Sequence, residues 1–132
     1  MCGIFGYLGG TPATQPIRLW ADSARRALLH RGPDGSEIRD FLGGQCILGH
    51  TRLSVIDLEG GAQPLCNEDG SVWITFNGEI YNYIELRDEL KTRHSFKTHS
   101  DTEVLVHLYE EKGERMLDDV VGMFAFAILD TK

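Results

Sequence analysis

Five segments rich in apolar residues predict β-strands. In each of them apolar residues either alternate with polar ones, which places them on one face, or are continuous and occupy both faces. The predicted strands cover residues 2–8, 38–42, 46–54, 72–76 and 120–129. The first and the last are apolar on both faces, which is typical of strands enclosed between two layers. The Gly43-Gly44 pair predicts that the second and third strands form a hairpin. Strands of this kind belong in stacked sheets with helices on the outside.

Three segments with apolar residues at helical spacing predict α-helices over residues 17–29, 82–92 and 100–112. The last begins with Ser100-Asp-Thr-Glu103, which has the form of a capping box. In that motif the serine side chain accepts the N–H of the glutamate, and the glutamate side chain accepts the N–H of the serine. The glycine-rich and acidic residues 57–71 predict a long loop, and long loops in compact domains are often functional.

Length and charge narrow the functional classes. A chain of 132 residues has the size of one domain. Its net charge of −7 argues against nucleic-acid partners and against binding to an anionic membrane surface. No apolar run is long enough to span a membrane. Three cysteines without a Cys-x-x-Cys pair argue against a disulfide framework and favour a reducing compartment, so we expect a cytoplasmic protein.

Cys2 allows two interpretations. A free cysteine is most often a small buried side chain. However, removal of Met1 would make Cys2 the first residue and would place the α-amine beside its thiol. An unperturbed α-amine has a pKa of about 7.7–8.0, which suits a base that activates sulfur. The sequence alone therefore leaves open a buried cysteine or an N-terminal nucleophile.

A second group of residues carries polar chemistry near the middle of the chain. Asn77-Gly78 is typical of a hairpin turn, but the segment after it has helical spacing, and an amide beside a backbone N–H can also stabilise an oxyanion. Arg52, Glu79 and Asp101 can each be an ordinary surface or helix-capping charge. Together they offer one forked cation and two carboxylates, which suits a free amino acid.

The sequence predicts neither a metal site nor a nucleotide loop. The five histidines, which are His30, His50, His94, His99 and His107, show no metal-ligand spacing, and the cysteines do not cluster with them. Neither a Gly-x-x-x-x-Gly-Lys-Ser/Thr nor a Gly-x-Gly-x-x-Gly motif occurs.

Seven motifs in a fixed order resemble those of class II glutamine amidotransferase domains, and most closely the N-terminal glutaminase domain of glutamine-hydrolysing asparagine synthetases. They are Cys2-Gly-Ile, His30-Arg-Gly-Pro-Asp-Gly35, Gly49-His-Thr-Arg-Leu-Ser-Val-Ile-Asp57, Gly61-Ala-Gln-Pro64, Phe76-Asn-Gly-Glu-Ile-Tyr-Asn-Tyr83, Ser100-Asp-Thr-Glu103 and Gly122-Met-Phe-Ala-Phe-Ala127. A single motif of this kind is weak, whereas the ordered set is specific and covers residues 2 to about 130.

The resemblance implies an α+β fold, the four-layer αββα sandwich of N-terminal-nucleophile hydrolases. It implies that residues 1–132 form a glutaminase domain that is incomplete at its C-terminus. A second domain, absent from this chain, would bind ATP, Mg²⁺ and aspartate and would receive ammonia. The glutaminase domain itself would need no cofactor or metal. L-glutamine would be its substrate, and a homodimer is compatible with the family.

The resemblance also assigns roles to residues. Cys2 would be the nucleophile with its own α-amine as base, and the Asn77 side chain and the Gly78 N–H would form the oxyanion hole. The glutamine would be bound by Arg52 at its α-carboxylate and by Glu79 and Asp101 at its α-ammonium. The backbone that lines the pocket would be that of Leu53, Ser54, Val55 and Ile56. Residues 30–35 would lie near the nucleophile.

Three alternatives remain open from the sequence. The first is a glutaminase domain of another amidotransferase, in amino-sugar, purine, peptide or polysaccharide biosynthesis. The second is a non-catalytic protein of the same fold that acts as a binding or regulatory module. The third is a cysteine hydrolase that pairs Cys2 with a histidine such as His50.

Overall fold

The computed structural model describes residues 1–54 and 60–132 of the chain. Six strands and three α-helices occur in these residues, with two short 3₁₀ turns at Leu42–Gly44 and Gly113–Asp118. The elements are β1 (Gly3–Leu8), α1 (Gln15–Leu28), β2 (Gly35–Phe41), β3 (Cys46–Arg52), β4 (Leu65–Cys66), β5 (Val72–Ile80), α2 (Tyr83–Leu90), α3 (Asp101–Lys112) and β6 (Gly122–Asp130). The chain is thus a mixed α/β protein with two antiparallel sheets and helices.

The first sheet has the strand order β1-β3-β2 and is antiparallel throughout. The predicted hairpin is confirmed, because β2 and β3 pair around the turn that contains Gly43 and Gly44. Helix α1 packs on this sheet and begins at Gln15, two residues before the predicted start. Pro16 lies in its first turn, where a missing N–H costs no helical hydrogen bond.

The second sheet has the order β4-β5-β6. Strand β5 extends to Ile80, so the prediction that the strand ends before Asn77-Gly78 is wrong. Both residues pair with β6, and a side chain at position 78 would have its Cβ only 2.6 Å from Phe124 Cα. Glycine therefore allows the two strands to meet where the sequence indicated a turn or the end of a strand.

Strand β6 is an edge strand among those the structure describes. Phe124, Phe126 and Ile128 pack towards the core of this half of the molecule, whereas Met123 is 62% exposed. The prediction that this strand is enclosed on both faces is therefore wrong for the described residues. The same holds for the end of β1, where Leu8 is 77% exposed.

Helix α3 packs on the second sheet and α2 packs against α3, and every residue of α3 from Asp101 to Leu108 is buried. The capping box is only partly confirmed. Ser100 Oγ accepts the N–H of Thr102 at 3.2 Å. Glu103 reaches past Ser100 to the N–H groups of Lys97 and Thr98, at 2.8 Å each, because the Ser100 N–H already donates to Thr98 Oγ1.

The two sheets meet along β3 and β5. Thr75 Oγ1 donates to the Gly49 carbonyl at 3.2 Å, and His50 Nε2 lies 3.2 Å from the Phe76 carbonyl. These buried bonds fix the end of β3 beside the middle of β5. None of the helices in the described residues has the length and apolarity to cross a membrane.

Candidate active site

A cavity of about 230 Å³ lies where the ends of β1 and β3 meet the second half of β5 and the start of α3. Most residues that the sequence singled out line it. They are Cys2, Arg52, Leu53, Asn77, Gly78, Glu79 and Asp101. Ser54 is not in the described lining, and its N–H donates to Asp34 Oδ2 at 2.8 Å. Val55 and Ile56 lie outside the described residues.

Cys2 is held at the cavity by the backbone of β3 and the segment that follows it. Its Sγ lies 3.4 Å from the Leu53 N and 3.7 Å from the Leu53 carbonyl oxygen. Its own carbonyl accepts a hydrogen bond from Arg31 Nε at 3.0 Å. The other two thiols, Cys46 and Cys66, do not belong to the described lining, and burial raises the pKa of both. Cys2 is therefore the thiol that the cavity presents.

The edge of β5 points backbone donors at this cavity. The Phe76 N–H donates to Gln63 Oε1 at 2.6 Å, and the Ile80 N–H donates to Asp101 Oδ2 at 3.0 Å. Because the N–H groups of a strand alternate between its two edges, Gly78 presents its N–H on the same edge, between these two. Strand β4 covers only Leu65–Cys66, so it does not extend along this part of β5.

Asn77 contributes a second polar group. Its side-chain Oδ1 is buried and has no hydrogen-bond partner among the described residues. A buried polar atom without a partner costs about 1–3 kcal/mol, and in native proteins such atoms call for a functional explanation. A ligand oxygen that carries negative charge needs hydrogen-bond donors, so the Nδ2 of this amide, not its Oδ1, is the group that can hold such an oxygen together with the N–H of Gly78.

The charged residues of the lining have opposite signs. Arg52 stands at the end of β3, whereas Glu79 is on β5 and Asp101 begins α3. Burial raises the pKa of the Asp101 carboxyl, and the nearby charge of Glu79 adds to this, while the N–H donors of Ile80 and Thr102 act in the opposite direction. A cation and two carboxylates around one cavity match the two charges of a free amino acid.

The loop of residues 30–35 contacts the backbone at the end of β3 and the residues after it, so its role in the site is structural. The Asp34 N–H donates to the Arg52 carbonyl at 2.9 Å, and the Asp34 carboxylate accepts the Ser54 N–H. A side chain at position 32 would place its Cβ 2.3 Å from the Thr51 carbonyl oxygen, so only glycine lets the loop approach β3. The loop therefore fixes the backbone that holds Cys2.

Sequence reasoning missed several lining residues, among them Gln63, Thr102 and Met123. Gln63 is the most informative, because its amide accepts the Phe76 N–H and donates to Thr102 Oγ1 at 3.3 Å. It belongs to a motif that the sequence did single out, but nothing in the motif shows that its side chain crosses to β5. Met1 also lines the cavity and is 64% exposed.

His50 does not have the geometry of a base for Cys2. It is buried, is not among the described residues of the lining, and donates its Nε2 hydrogen to the Phe76 carbonyl. Burial is the main reason that its pKa is lowered to about 4, and the positive charge of Arg52 adds to the effect. The described geometry therefore gives no support to the Cys2–His50 alternative.

A thiol, two groups suited to an oxyanion and opposed charges in one cavity are typical of cysteine enzymes that cleave an amide of an amino acid. The chain belongs to the glutamine amidotransferase domain family, whose model matches residues 1–132.

The chain is also similar over its whole length to curated proteins. It is 48% identical to asparagine synthetase [glutamine-hydrolyzing] 1 of Lotus japonicus, 49% identical to asparagine synthetase [glutamine-hydrolyzing] 2 of Arabidopsis thaliana, and 48% identical to asparagine synthetase [glutamine-hydrolyzing] of Asparagus officinalis. In each case the match covers 100% of this chain and 22% of the relative. The resemblance found from the motifs is thereby confirmed, and the chain spans about a fifth of the length of these relatives.

Proposed function

We propose that this chain hydrolyses L-glutamine to glutamate and ammonia through a thioester on Cys2. The observation that carries the proposal is the cavity itself, in which separate segments bring Cys2, Arg52, Asn77, Gly78 and Asp101 together. The family supports glutamine as the substrate. The α-carboxylate would bind Arg52, and the α-ammonium would bind Asp101 and Glu79. The backbone of residues 53–56 would line the pocket, as the resemblance implies.

The reaction would proceed in two halves. The Cys2 thiolate adds to the side-chain amide carbon, and the amide oxygen becomes an oxyanion held by the Asn77 amide and the Gly78 N–H. The C–N bond then breaks, the nitrogen takes a proton and leaves as ammonia, and a γ-glutamyl thioester remains. Water adds to the thioester, and the C–S bond breaks to give glutamate and the free thiol.

The base in this proposal is the α-amine of Cys2. In the printed sequence Cys2 follows Met1, so its nitrogen is an amide. Removal of Met1 would free the α-amine of Cys2, which is on the same residue as the thiol, and would also remove a side chain that lines the cavity. We therefore propose that the active form begins at Cys2.

In the whole protein, the ammonia would pass to an ATP-dependent domain that converts aspartate to asparagine, as the names of the relatives suggest. ATP and Mg²⁺ would act in that second domain, and the glutaminase reaction as proposed uses neither. Helix α1 lies on one sheet and α3 on the other, which supports the finer assignment of a four-layer αββα sandwich. We further propose that the protein acts in the cytoplasm, that it forms a homodimer, and that it binds neither nucleic acid nor a membrane.

The test compares Cys2→Ala with Cys66→Ala. We expect Cys2→Ala to abolish glutamate release from glutamine without changing the circular dichroism spectrum. The Cys66→Ala control should retain the activity, because its thiol lies away from the cavity. A Cys2→Ala protein that still releases glutamate would overturn the proposal.

The role of the amine has its own measurement. Intact mass should show that active protein lacks Met1, and acetylation of the new N-terminus should stop hydrolysis. Fully active protein that retains Met1 would remove the amine from the mechanism while leaving Cys2 as nucleophile.

A further inference from the structure

Four side chains that the glutaminase chemistry does not use come together beside α3. They are Glu68, His94, His107 and Glu110, and each offers one ligand atom within 4.8 Å of the other three. Three separate segments supply them. Glu68 lies after β4 and His94 after α2, while His107 and Glu110 lie one turn apart on α3. None of the four belongs to the described lining of the cavity. The histidine spacing gave no hint of this cluster, because His94 and His107 meet only in the fold.

Three of the distances between the four ligand atoms are already close to the spacing that a metal ion needs. His107 Nδ1 lies 2.9 Å from Glu110 Oε2 and 3.8 Å from Glu68 Oε2, and His94 Nδ1 lies 3.6 Å from the same Glu110 oxygen. In a tetrahedral zinc site with bonds of about 2.0–2.1 Å, neighbouring ligand atoms lie roughly 3.3 Å apart. The observed separations lie on both sides of that value, so small side-chain movements complete the geometry.

Both carboxylates are oriented by bonds on their outer sides. Glu110 Oε1 accepts a hydrogen bond from Asn67 Nδ2 at 2.7 Å, which leaves Oε2 facing the cluster. Glu68 Oε1 accepts the Ser95 N–H at 2.9 Å, which again leaves Oε2 inward. Each carboxylate therefore uses one oxygen to hold its position and keeps the other for a ligand.

One of the two imidazoles, that of His94, is oriented in the same way. His94 Nε2 lies 3.1 Å from Glu111 Oε1, so this nitrogen carries the hydrogen and Nδ1 is the acceptor that faces the cluster. His107 turns Nδ1 inward, whereas its buried Nε2 lies 3.9 Å from Glu103 Oε1 and has no hydrogen-bond partner among the described residues. A histidine that binds a metal usually donates its other N–H to a carboxylate or carbonyl, because this fixes the tautomer and the ring orientation.

Burial and charge suit a divalent cation. The side chain of His107 is 1% exposed and that of His94 is 15% exposed, whereas Glu68 at 37% leaves a route to solvent. Two neutral imidazoles and two carboxylates carry a charge of −2, which one divalent ion neutralises. Mixed nitrogen and carboxylate oxygen ligands favour Zn²⁺ over Mg²⁺ or Ca²⁺, which prefer oxygen alone.

We propose that Glu68, His94, His107 and Glu110 form a structural Zn²⁺ site that ties the loop after β4 and the segment after α2 to helix α3. The zinc ion replaces the proton shared by His107 Nδ1 and Glu110 Oε2. Four protein ligands leave no open position, so the site stabilises the fold and takes no part in catalysis.

The experiment uses the full chain without an affinity tag, stripped with a chelator and alkylated at its accessible thiols. Titration with Co²⁺ should give one equivalent of tetrahedral cobalt, seen as strong visible absorption without a sulfur charge-transfer band in the near ultraviolet. Zn²⁺ should displace the cobalt and raise the unfolding temperature, because it binds only the folded state.

Variants locate the site. Glu68→Gln and His94→Gln, both at the exposed side of the cluster, should each weaken Zn²⁺ binding by more than about 100-fold, because even outer partners of metal ligands cost 10–100-fold. Glu111→Gln should weaken binding by about 10-fold through the lost orientation of His94. The exposed controls Glu89→Gln and His30→Gln should bind as the unchanged chain does. The proposal would be overturned if the unchanged chain did not bind Zn²⁺ tightly. It would also be overturned if Glu68→Gln and His94→Gln bound Zn²⁺ as tightly as the unchanged chain does.

Discussion

Two substitutions of Asp101 distinguish the effect of its negative charge from the effect of its hydrogen-bonding oxygen. The residue begins α3, is 5% exposed, and its Oδ2 accepts the buried N–H of Ile80 at 3.0 Å. Asp101→Asn keeps an acceptor oxygen of the same size and removes the negative charge. Asp101→Ala removes both, and leaves the Ile80 N–H without its acceptor.

The expected change in stability follows from these contacts. Asp101→Ala should lower the free energy of unfolding by about 1–3 kcal/mol, the cost of a buried donor without a partner. Asp101→Asn should change it by less than about 1 kcal/mol, since the lost attraction to the helix N-terminus is worth only 0.3–1 kcal/mol. Relief from burying a charge offsets that loss.

The expected effect of Asp101→Asn on catalysis is larger than its expected effect on stability. If the carboxylate binds the α-ammonium of glutamine, Asp101→Asn loses a charge-assisted hydrogen bond worth about 1.5–3 kcal/mol. KM for glutamine should then rise roughly 10- to 100-fold. A large loss of glutamine binding with little loss of stability is the signature of a residue that contacts the substrate.

The pH dependence supplies an independent check. Burial raises the pKa of Asp101 above its ordinary value of 3.8, so the folded protein holds this proton more tightly than the unfolded chain. The resulting stabilisation is complete at pH below about 4 and is lost as the pH rises through the folded pKa. Asp101→Asn has no such proton, and its stability should lack this decrease as the pH rises above about 4.

Urea unfolding at several pH values and glutamate release at varied glutamine concentration measure both effects. Asp118→Asn, an exposed aspartate, serves as the control and should change neither quantity. An unchanged KM in Asp101→Asn would refute the contact with the ammonium group. A loss of stability in Asp101→Asn as large as in Asp101→Ala would refute the explanation based on the Ile80 N–H.

Three further predictions concern the proposed oxyanion groups and the residue that supports them. Asn77→Ala should lower kcat by about 10²–10³-fold without lowering the urea midpoint, because the amide oxygen has no partner in the described structure that the substitution could break. Gly78→Ala should lower the free energy of unfolding by about 1–3 kcal/mol, since its Cβ would stand 2.3 Å from the Met123 carbonyl oxygen, whereas Gly10→Ala, with open space around it, should leave that free energy unchanged. Gln63→Ala should destabilise the fold by about 1–3 kcal/mol in urea unfolding, because a buried strand N–H loses its acceptor.

The local sequence pattern was sufficient to predict those elements in which the hydrophobic periodicity and the residues at the ends agreed. Helix α3 begins at Asp101 and ends at Lys112, as the spacing and Gly113 predicted. The hairpin around residues 43–44 follows for the same reason, since glycine marks the turn between two apolar runs. Such elements are determined by interactions between residues within about 15 positions of each other, so they can be predicted from a single sequence.

Long-range contacts decided the points that the pattern missed. Asn77-Gly78 has the local chemistry of a turn, yet pairing with β6 some 45 residues later keeps it in a strand. Glu103 has the spacing of a capping residue, yet the hydroxyl of Thr98 occupies the N–H that the motif would use. In both cases a partner distant in the sequence, or outside the motif, competes with the local preference.

The candidate site shows the same division between chemistry and position. The kinds of side chain that could bind an amino acid were visible in the sequence, and motif order tied them to the family. Their arrangement depends on a property that no motif encodes, which is the short length of β4. Had β4 continued along β5, its carbonyls would have paired with the N–H groups of Phe76, Gly78 and Ile80. Gln63 and Asp101 take two of these donors with side chains instead, and the donor between them faces the cavity beside Cys2. The proposed oxyanion position is therefore a gap in a β-ladder. Substitutions that extend the ladder into this gap should remove activity without changing the thiol.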